Sequence, residues 1–435
     1  MSFEKDVIKT KLGDLIEIKH GFAFKGKYFS EEETELILLT PGNFKIGGGF
    51  SGDKYKFYQN INNFPEEYIL DPGDLLITMT DLSKNGDTLG YPAIVPQIPS
   101  KKLLHNQRLG KVSVKDKRLD KDFLYYLLCS NKYRHHILAT ATGSTVKHTS
   151  PKRILDFEFY LPSLEKQRKI ASILSSLDRK IELNNQINKN LEEMAQAIFK
   201  SWFVDFEPFQ DGEFAESELG LIPKGWSINT IQELSKEDGI ICGKTPSTKI
   251  KENYGDYMPF ITIPDMHGKV FVSRTERMLS KKGVESQPKK TLPPNSINVS
   301  CIATPGLVTI TSEPSQTNQQ INSVICKDNI SYLFMYLSLS NLSDHIRNLG
   351  SGGSTTLNLN KTEFSKIKLI VPDQQVMDNF HSLVEPIFNS ILKNQKEIEL
   401  LQDLRDTLLP KLMSGEIRVP LENEGRQQDE QLQRV

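Results

Sequence analysis

Cysteine is scarce in this chain, and the cysteines that occur lie far apart. They are Cys129, Cys242, Cys301 and Cys326, and no two of them form a Cys-x-x-Cys pair. This spacing argues against structural zinc and against a disulfide framework, and it fits a reducing cytoplasm. The longest apolar runs, such as Leu36–Leu39, fall far short of the roughly 20 residues that cross a bilayer. The N-terminal stretch also lacks the apolar core of a secretory signal, so we expect a cytoplasmic protein.

Net charge is nearly absent, with 54 basic and 55 acidic side chains. This balance excludes a uniformly basic nucleic-acid coat protein and an acidic disordered chain. The charge is nevertheless uneven. Residues 1–99 hold 10 Lys/Arg and 15 Asp/Glu, whereas residues 100–155 hold 13 Lys/Arg and 3 Asp/Glu. The second stretch is typical either of a solvated basic face or of a surface that binds nucleic acid.

Catalytic and cofactor-binding motifs are also missing. Gly239–Thr245 resembles a phosphate-binding loop, but that motif needs glycine where Asp238 stands. Gly47–Gly52 matches the GxGxxG pattern without the helix that should follow it, so we expect a hairpin loop there. The eight histidines have no metal-ligand spacing, and no Asn/Asp-Pro-Pro-Tyr/Phe methyltransferase motif occurs. The sequence therefore predicts a chain without catalysis, metal or cofactor of its own.

The chain contains an internal repeat with an offset of 210 residues. Gly-Ser-Thr at 143–145 recurs at 353–355, and Leu-Pro at 161–162 recurs as Val-Pro at 371–372. A long stretch with apolar residues at helical spacing follows each proline, and the two stripes share one register. One offset that aligns a loop, a proline and an apolar stripe indicates duplication of a whole structural unit.

The repeat extends upstream, with gaps. Asn106-Gln107 has a counterpart in Asn318-Gln319. The apolar run Leu75–Thr78 resembles Ile297–Ser300, and Leu12–Leu15 resembles Ile231–Leu234. Each half is therefore predicted to be a globular domain followed by a long helix.

The globular part of each half is predicted to be mixed and rich in strands. Apolar runs bounded by glycine, proline and asparagine predict strands, and longer stretches with helical spacing predict helices. The predicted strands are Leu36–Leu39, Leu75–Met79, Phe157–Leu161, Ile297–Ile302 and Ile367–Val371, and the helices are Lys121–Leu138 and Ile330–Leu349. The fold class is α+β, with two tandem α/β domains and an internal pseudo-two-fold repeat. The predicted boundaries are 1–160 for the first domain, 161–207 for the first long helix, 208–370 for a linker and the second domain, 371–415 for the second long helix, and 416–435 for a polar tail.

The two long helices have matched length and register, so they are predicted to pair with each other. Their apolar residues recur about every 3.5 residues over about four heptads, which is typical of a coiled-coil seam. Asn184 and Asn394 occupy equivalent seam positions, where a buried polar residue fixes register. The alternative is that each helix packs only on its own domain. An antiparallel pair would give two similar heads at a fixed separation, which suits a two-part DNA site.

Several segments resemble the specificity subunits of type I restriction–modification systems. Leu161–Ile187 is similar to the first conserved helix of that family, and Val371–Ile391 is similar to the second. Glu218–Trp226 resembles the family's lead-in to its second target-recognition domain. Thr142–Ile154 and Gly350–Phe364 are similar to the Gly-Ser/Thr loop before each helix. Together these segments cover nearly the whole chain in the family's order.

The resemblance implies a non-catalytic DNA-specificity subunit. Each target-recognition domain of such a subunit reads one half of a bipartite site in double-stranded DNA. The paired helices form an antiparallel coiled-coil spacer and dock two adenine-N6 methyltransferase subunits, and restriction subunits that translocate and cut DNA join this core. S-adenosylmethionine, ATP and magnesium are then expected on the partner subunits, and no cofactor is expected on this chain.

DNA binding needs Lys or Arg on phosphates, and Arg, Asn, Gln or Lys on base edges. In the first domain the predicted DNA-binding residues are Lys25, Lys27, Lys45, Asn106, Gln107, Arg108, Ser144, Thr145, Lys147 and His148. In the second they are Lys244, Thr245, Lys249, Asn318, Gln319, Gln320, Ser354, Thr355, Asn358, Asn360 and Lys361. Each could instead be an ordinary exposed polar residue, and the Asn-Gln pairs could be structural hydrogen-bonders at a strand start.

Aromatic residues cluster at the end of the first long helix, at Phe199, Trp202, Phe203 and Phe206. Such a cluster fits packing against the second helix or its own domain, and it also fits docking of a methyltransferase subunit. Two alternatives remain for the whole chain. A fused restriction–methylation enzyme is opposed by the missing catalytic motifs. A coiled-coil scaffold without DNA specificity is opposed by the duplicated domains and the basic stretch.

Overall fold

The computed structural model describes residues 8–52, 54–59, 64–350 and 358–420. The chain divides into two compact units. Unit 1 consists of Met1–Arg179 and Leu401–Val435, and unit 2 is the continuous stretch Lys180–Leu400. Both boundaries fall inside the long helices, so each unit contains one end of each helix.

Unit 1 is built on two main β-sheets. The first is antiparallel, with the strand order Ile16–His20, Leu109–Val114, Leu75–Thr78 and Pro92–Ile94. The second has the order Phe29–Ser30, Lys56–Tyr58, Leu36–Leu39, Lys102–His105 and Ile69–Leu70. Two shorter pairs are Ile8–Lys11 with Glu158–Leu161, and Thr80–Asp81 with Lys147–His148. Leu36–Leu39 is apolar and buried throughout because it lies inside its sheet, parallel to Lys102–His105.

The helices in the globular part of unit 1 are short, and the two longest are capped by side chains. Asp120 accepts hydrogen bonds from the N–H groups of Asp122 and Phe123 and so starts the helix Lys121–Cys129. Ser130 then caps a separate helix, so the single helix predicted over 121–138 is in fact two. The other helical segments are Asn131–Thr140, Leu12–Leu15, Pro151–Leu155 and the 3-10 turns Gly26–Tyr28, Pro41–Asn43 and Glu66–Tyr68.

Unit 2 is also built on two main β-sheets, but the strands at the edges of its sheets differ from those of unit 1. Its larger sheet has the order Ser235–Cys242, Ile321–Cys326, Ile297–Ser300, Val308–Thr311 and Phe271–Val272. Its smaller sheet has the order Arg277–Leu279, Tyr254–Ile261 and Gln316–Thr317. Two strand pairs are Ser227–Thr230 with Lys368–Val371, and Phe214–Ser217 with Gly220–Pro223. The helical segments are Ile231–Leu234, Ile263–Met266, Lys281–Glu285, Tyr332–Asn341, Ser343–Gly350 and Lys361–Ser365, with 3-10 turns at Glu207–Phe209, Lys251–Asn253 and Pro288–Lys290.

The sheet order confirms the internal repeat and the α+β fold class. Leu75–Thr78 and Ile297–Ser300, which the sequence comparison paired, both occupy the third position in their sheets. In each unit, an opening strand pairs with the strand just before a long helix. A four-residue helix follows that opening strand at once, at Leu12–Leu15 and at Ile231–Leu234.

The first long helix, Leu164–Phe203, ends before the boundary predicted at 207. Phe206 is in the left-handed conformation with a φ of 54°, and Pro208 follows it. A left-handed residue and a proline cannot continue an α-helix, so the chain turns there. The second long helix is Gln374–Ser414, which lies within the predicted 371–415.

Polar side chains join the two long helices within unit 2. Asn184, which is 1% exposed, donates from Nδ2 to Glu397 Oε2 at 2.9 Å. Asn394 donates from Nδ2 to Asn188 Oδ1, also at 2.9 Å. The residue numbers rise along one helix as they fall along the other, so the helices are antiparallel here. Both asparagines predicted at the seam therefore lie between the helices.

The same antiparallel contact recurs inside unit 1. Arg405 on the second long helix donates from Nη1 to Asp178 Oδ1 of the first at 2.9 Å. Tyr126 donates to the other oxygen of that carboxylate at 2.7 Å. Leu412 and Val419 also belong to the buried cluster that contains Ile170 and Leu174 of the first long helix. The core of unit 1 therefore includes residues from both ends of the described chain. The residues of this core include Leu12, Leu15, Leu75, Ile77, Phe123, Leu127, Ile170, Leu174, Leu412 and Val419.

The aromatic cluster of the first long helix lies in the core of unit 2. The Phe203 ring centre is 4.7 Å from that of Phe380, and Phe199 packs on the same ring. Phe199 and Phe203 are only 6% and 5% exposed. This corrects the expectation that they dock a partner, because a buried ring has no free surface. Trp202 and Phe206 are half-buried against the same core.

Candidate nucleic-acid interface

Each unit has a three-residue turn that connects its two sheets. Asn106–Arg108 leads from Lys102–His105 into Leu109–Val114. In unit 2 the equivalent turn leads from Gln316–Thr317 into Ile321–Cys326 and consists of Asn318–Gln320. We call these the first and second asparagine turns. The pairing of Asn106-Gln107 with Asn318-Gln319 from the sequence is thereby confirmed in three dimensions.

The two asparagines hold the turns together. Asn106 Oδ1 accepts a hydrogen bond from the Arg108 N–H at 2.9 Å, and Asn318 Oδ1 accepts one from the Gln320 N–H at 3.0 Å. Both asparagines are buried, at 6% and 8% exposure. This corrects the expectation that they contact bases, because their carboxamide oxygens already stabilise the turns. The neighbouring Gln107, Arg108 and Gln319 are exposed.

A glycine lies directly against each asparagine turn. Gly21 donates to the Leu109 carbonyl at 3.3 Å, and Gly243 donates to the Ile321 carbonyl at 3.0 Å. A Cβ at Gly21 would lie 2.1 Å from the Asn106 carbonyl oxygen, and one at Gly243 would lie 2.1 Å from the Asn318 carbonyl oxygen. Any larger residue would displace the turn. Neither glycine could be predicted from the internal repeat, because its spacing to the turn differs between the halves.

The Gly-Ser-Thr segment of unit 1 lies on the same edge as its asparagine turn. The Met79 N–H donates to the Arg108 carbonyl at 2.8 Å, and the Met79 carbonyl accepts from the Thr149 N–H at 3.0 Å. This places Lys147 and His148 one strand away from the turn. His148 Nδ1 lies 3.1 Å from the Thr80 hydroxyl, whereas Ser144 and Thr145 are exposed. The predicted residues of this segment therefore converge on one polar edge.

Unit 2 makes the equivalent connection. The Cys301 N–H donates to the Gln320 carbonyl, and the Cys301 carbonyl accepts from the Leu359 N–H, both at 2.8 Å. Asn358 and Lys361 are exposed beside this strand. Asn360 caps the helix Lys361–Ser365 by accepting from the Glu363 N–H at 2.9 Å, so it has a structural role. The predicted Ser354 and Thr355 lie outside the described residues.

Lysines from a second segment flank the asparagine turns. Lys244 donates from its backbone N–H to the Thr317 carbonyl at 2.9 Å, and its side chain is exposed. Lys25 and Lys27 are exposed in the equivalent segment of unit 1, which joins the first turn through Phe22. Two predicted lysines stand apart. Lys249 is exposed further along its loop, and Lys45 lies in the glycine turn at 45–50, beside the edge strand Pro92–Ile94.

The basic stretch 100–155 is not one continuous basic face. Lys101 pairs with Glu33 at 2.6 Å, and Lys111 pairs with Asp74 at 2.6 Å. These partners come from the acidic stretch 1–99, so part of the positive excess is neutralised within unit 1. Arg134 donates to backbone carbonyls of the loop 86–89 instead of facing solvent. These three basic residues therefore do not contribute free positive charge to the predicted footprint.

His105 lies directly before the first asparagine turn and is neutral at physiological pH. Its side chain is 1% exposed, and Nε2 lies 3.0 Å from the Leu109 carbonyl, to which it donates when neutral. Burial lowers the pKa of His105 from 6.5 to about 4, because the charged imidazolium would lose its hydration. The neutral ring thus connects the strand before the turn to the strand after it.

This burial predicts a stability loss on acidification. The unfolded chain binds a proton at His105 near pH 6.5, whereas the folded chain resists protonation until about pH 4. Stability therefore falls as pH drops through this window, by up to about 3 kcal/mol. Denaturant unfolding of wild type and His105→Gln across pH 4–7 measures this difference, and the variant should lose less stability. The exposed His135→Gln is the control. Equal pH dependence in wild type and His105→Gln would contradict the prediction.

A second pair of repeated turns escaped the sequence analysis. Thr40 donates from its backbone N–H to Asn43 Oδ1 at 2.9 Å, and Thr262 donates in the same way to Asp265 Oδ2 at 2.8 Å. These turns follow Leu36–Leu39 and Tyr254–Ile261, which lie parallel to the strands that enter the asparagine turns. The Thr-x-x-Asn/Asp spacing, which occurs in both halves of the sequence, could have predicted these turns.

The regions considered for other chemistry have ordinary structural roles. Gly239 lies inside the strand Ser235–Cys242, and the residues up to 250 form no helix, so Gly239–Thr245 is not a phosphate-binding loop. Gly47–Gly49 lie in a tight turn in which the Lys45 N–H donates to the Gly49 carbonyl, as expected for a hairpin loop. Within the described ranges, no group of three or more His, Cys, Asp or Glu side chains could hold a metal ion. No described helix is both long and apolar enough to cross a membrane.

Comparison with known proteins identifies the family. A family model described as the type I restriction modification DNA specificity domain matches residues 4–193 and 223–402. The two matches cover most of the chain and correspond to its two repeats. The chain therefore belongs to the type I restriction–modification DNA specificity family.

Individual relatives agree with this assignment. The type I restriction enzyme HindI specificity subunit of Haemophilus influenzae is 39% identical over 357 residues, covering 68% of this chain and 77% of the relative. The MjaIX specificity subunit of Methanocaldococcus jannaschii is 30% identical over 350 residues, 76% of each chain. A crystal structure of a type I restriction–modification S subunit from M. genitalium aligns with a TM-score of 0.56 at 18% identity, covering 95% of this chain and 98% of that one. That structure shares the fold.

Proposed function

We propose that this chain is the non-catalytic DNA-specificity subunit of a type I restriction–modification complex. The observation that carries the proposal is the duplicated polar edge. An asparagine turn with a glycine against it occurs once in each unit. A DNA target read as two short blocks, one per unit, suits this duplication. The exposed Gln107, Arg108 and Gln319 supply side chains that can contact base edges.

The remaining predicted residues are proposed to contact the DNA backbone. Lysines and hydroxyl groups position a protein on phosphates without reading sequence. In unit 1 these are Lys25, Lys27, Ser144, Thr145, Lys147 and His148, and in unit 2 they are Lys244, Lys249, Asn358 and Lys361. In this proposal the first target-recognition domain is 1–160, a linker and the second domain occupy 208–370, and the coiled-coil spacer is formed by the long helices within 161–207 and 371–415, with a tail at 416–435.

The proposed partners carry the chemistry. Two adenine-N6 methyltransferase subunits dock on the helices and hold S-adenosylmethionine. Restriction subunits that use ATP and magnesium join the same complex, which works on double-stranded DNA in the cytoplasm. Trp202 and Phe206, half-buried at the end of the first long helix, remain proposed contacts of a methyltransferase subunit.

Methylation mapping tests the proposal. The chain is co-expressed with its methyltransferase subunit in a host without adenine methylation, and single-molecule sequencing maps N6-methyladenine across the genome. We expect a split motif, with two specific blocks around a fixed unspecified gap. A stable complex that methylates no such motif would contradict the proposal. Failure to form any complex would favour the coiled-coil scaffold.

Single substitutions should alter one block only. Gln107→Ala is expected to relax base discrimination in the block read by unit 1, and Gln319→Ala in the block read by unit 2. Loss of one good base contact lowers discrimination by roughly 5- to 100-fold at that position. The same sequencing assay measures it. The exposed Leu221→Ala is the control, since Leu221 lies in the separate two-stranded pair of Phe214–Ser217 with Gly220–Pro223. A change in both blocks, or in stability alone, would refute the assignment for that glutamine.

A further inference from the structure

The hydrogen bonds of the second asparagine turn point to a particular base. Thr245 donates from its hydroxyl to Gln319 Oε1 at 2.6 Å. Asn318 donates from Nδ2 to Gln320 Oε1 at 3.0 Å, and its own Oδ1 accepts from the Gln320 N–H. All three side-chain amide oxygens of the turn are therefore engaged by the protein.

The amide nitrogens of the two glutamines are left for a ligand. In the part of the chain that the structure describes, no protein group accepts a hydrogen bond from Nε2 of Gln319 or Gln320. Gln319 is exposed and Gln320 half-exposed, and the exposed amine of Lys244 lies on the adjoining segment. The side-chain nitrogens of Gln319, Gln320 and Lys244 are thus the donors that this turn offers to a ligand.

Buried groups fix the segment that carries the Thr245 hydroxyl. Gln287, only 7% exposed, donates from Nε2 to the Lys244 carbonyl and to Gln316 Oε1, both at 2.8 Å. Gln316 is fully buried and donates to the Thr291 hydroxyl at 3.0 Å. The residues before Thr245 and before the turn are therefore held by one network, which keeps the Thr245–Gln319 contact in place.

The first asparagine turn lacks this arrangement. Gln107 is exposed, and within the described residues its side-chain amide makes no hydrogen bond. Position 22, which corresponds to Lys244 through the adjacent glycines, is a phenylalanine. An unrestrained glutamine can both donate and accept, which is the pattern that adenine requires. A carboxamide held with its nitrogen toward the ligand suits guanine, whose O6 and N7 are both acceptors.

We propose that Gln319 is a specificity-determining residue that reads guanine in the second block, because the Thr245 hydroxyl holds its amide oxygen toward the protein and leaves Nε2 to face the base. This rests on the proposed function, since it requires that unit 2 read one block. The Nε2 group of Gln319 donates to guanine O6 and N7. Adenine is rejected because its N6 amino group would face a donor.

Thr245→Val tests the proposal. The variant is co-expressed with the methyltransferase subunit and mapped by sequencing of N6-methyladenine. Wild type should require a G·C pair at one position of the second block, with a preference over A·T of roughly tenfold or more. Thr245→Val releases the carboxamide so that Oε1 can also face the base, and sites with A·T at that position should be methylated to within about threefold of G·C sites. Thr245→Ser keeps the hydroxyl and should keep the preference.

Two results would overturn the proposal. One is a wild-type second block without a G·C pair, and the other is a Thr245→Val motif identical to that of wild type. If Thr245→Val does not assemble with the methyltransferase subunit, Gln319→Glu tests the proposal instead, because a carboxylate only accepts hydrogen bonds. Gln319→Glu should lose guanine and favour cytosine, whose N4 amino group donates, and retention of guanine would count against the proposal. A wild type without any split motif would instead mean failure of the proposed function.

Discussion

Replacing Gly243 by alanine should abolish reading of the second DNA block while the first block stays specified. The new Cβ would lie 2.1 Å from the Asn318 carbonyl oxygen, which no side chain can tolerate without moving the turn. A shift of an ångström or more would move Gln319 away from the base that we propose it contacts. We expect methylation of the complete site to fall roughly 5- to 100-fold, the effect of losing one good base contact.

Gly21→Ala should have the mirror effect, because its Cβ would lie 2.1 Å from the Asn106 carbonyl oxygen. Sequencing of N6-methyladenine, with a thermal melt of each purified complex, measures both changes. Gly26→Ala is the matched control, since nothing lies within 4 Å of a Cβ at that position. Wild-type methylation by Gly21→Ala and Gly243→Ala would refute the role of the asparagine turns.

Phe203→Ala should destabilise unit 2 by about 3–5 kcal/mol, the usual effect of removing a buried aromatic ring. Phe203 is 5% exposed, and its ring packs on Phe380 at 4.7 Å between centres. Denaturant unfolding of the purified chain measures the loss. The neighbouring Val204→Ala, at a side chain 43% exposed, should change stability by less than about 0.5 kcal/mol. Unchanged stability combined with lost methyltransferase binding would instead restore Phe203 as a docking residue.

Much of the architecture could be predicted because periodicity and repetition are local in sequence. The helical stripes gave both long helices, and the seam asparagines lie between them as expected. The end of the first long helix was placed too late because an apolar stripe does not reveal the left-handed conformation of Phe206. The helix predicted over 121–138 was split by Ser130, whose capping role depends on a backbone conformation that spacing cannot show.

The candidate site was only partly predictable. The Asn-Gln pairs were found by repetition, but whether an asparagine faces DNA or supports its own turn depends on burial. Burial requires knowledge of which strands meet. The pairing of Lys101 with Glu33 and of Lys111 with Asp74 likewise joins residues far apart in sequence, so charge counting overstated the basic surface. The Thr245–Gln319 contact, across 74 residues, has no local signal at all.

The discontinuous make-up of unit 1 has a consequence for biosynthesis. Unit 2 is one uninterrupted stretch, so all of its residues have been synthesised once the ribosome passes Leu400. Unit 1 is then still incomplete, because Leu412 and Val419 have yet to cover Ile170 and Leu174. The domain that starts first is thus the last that can close its core. A nascent chain arrested near residue 400 would therefore leave that apolar surface uncovered.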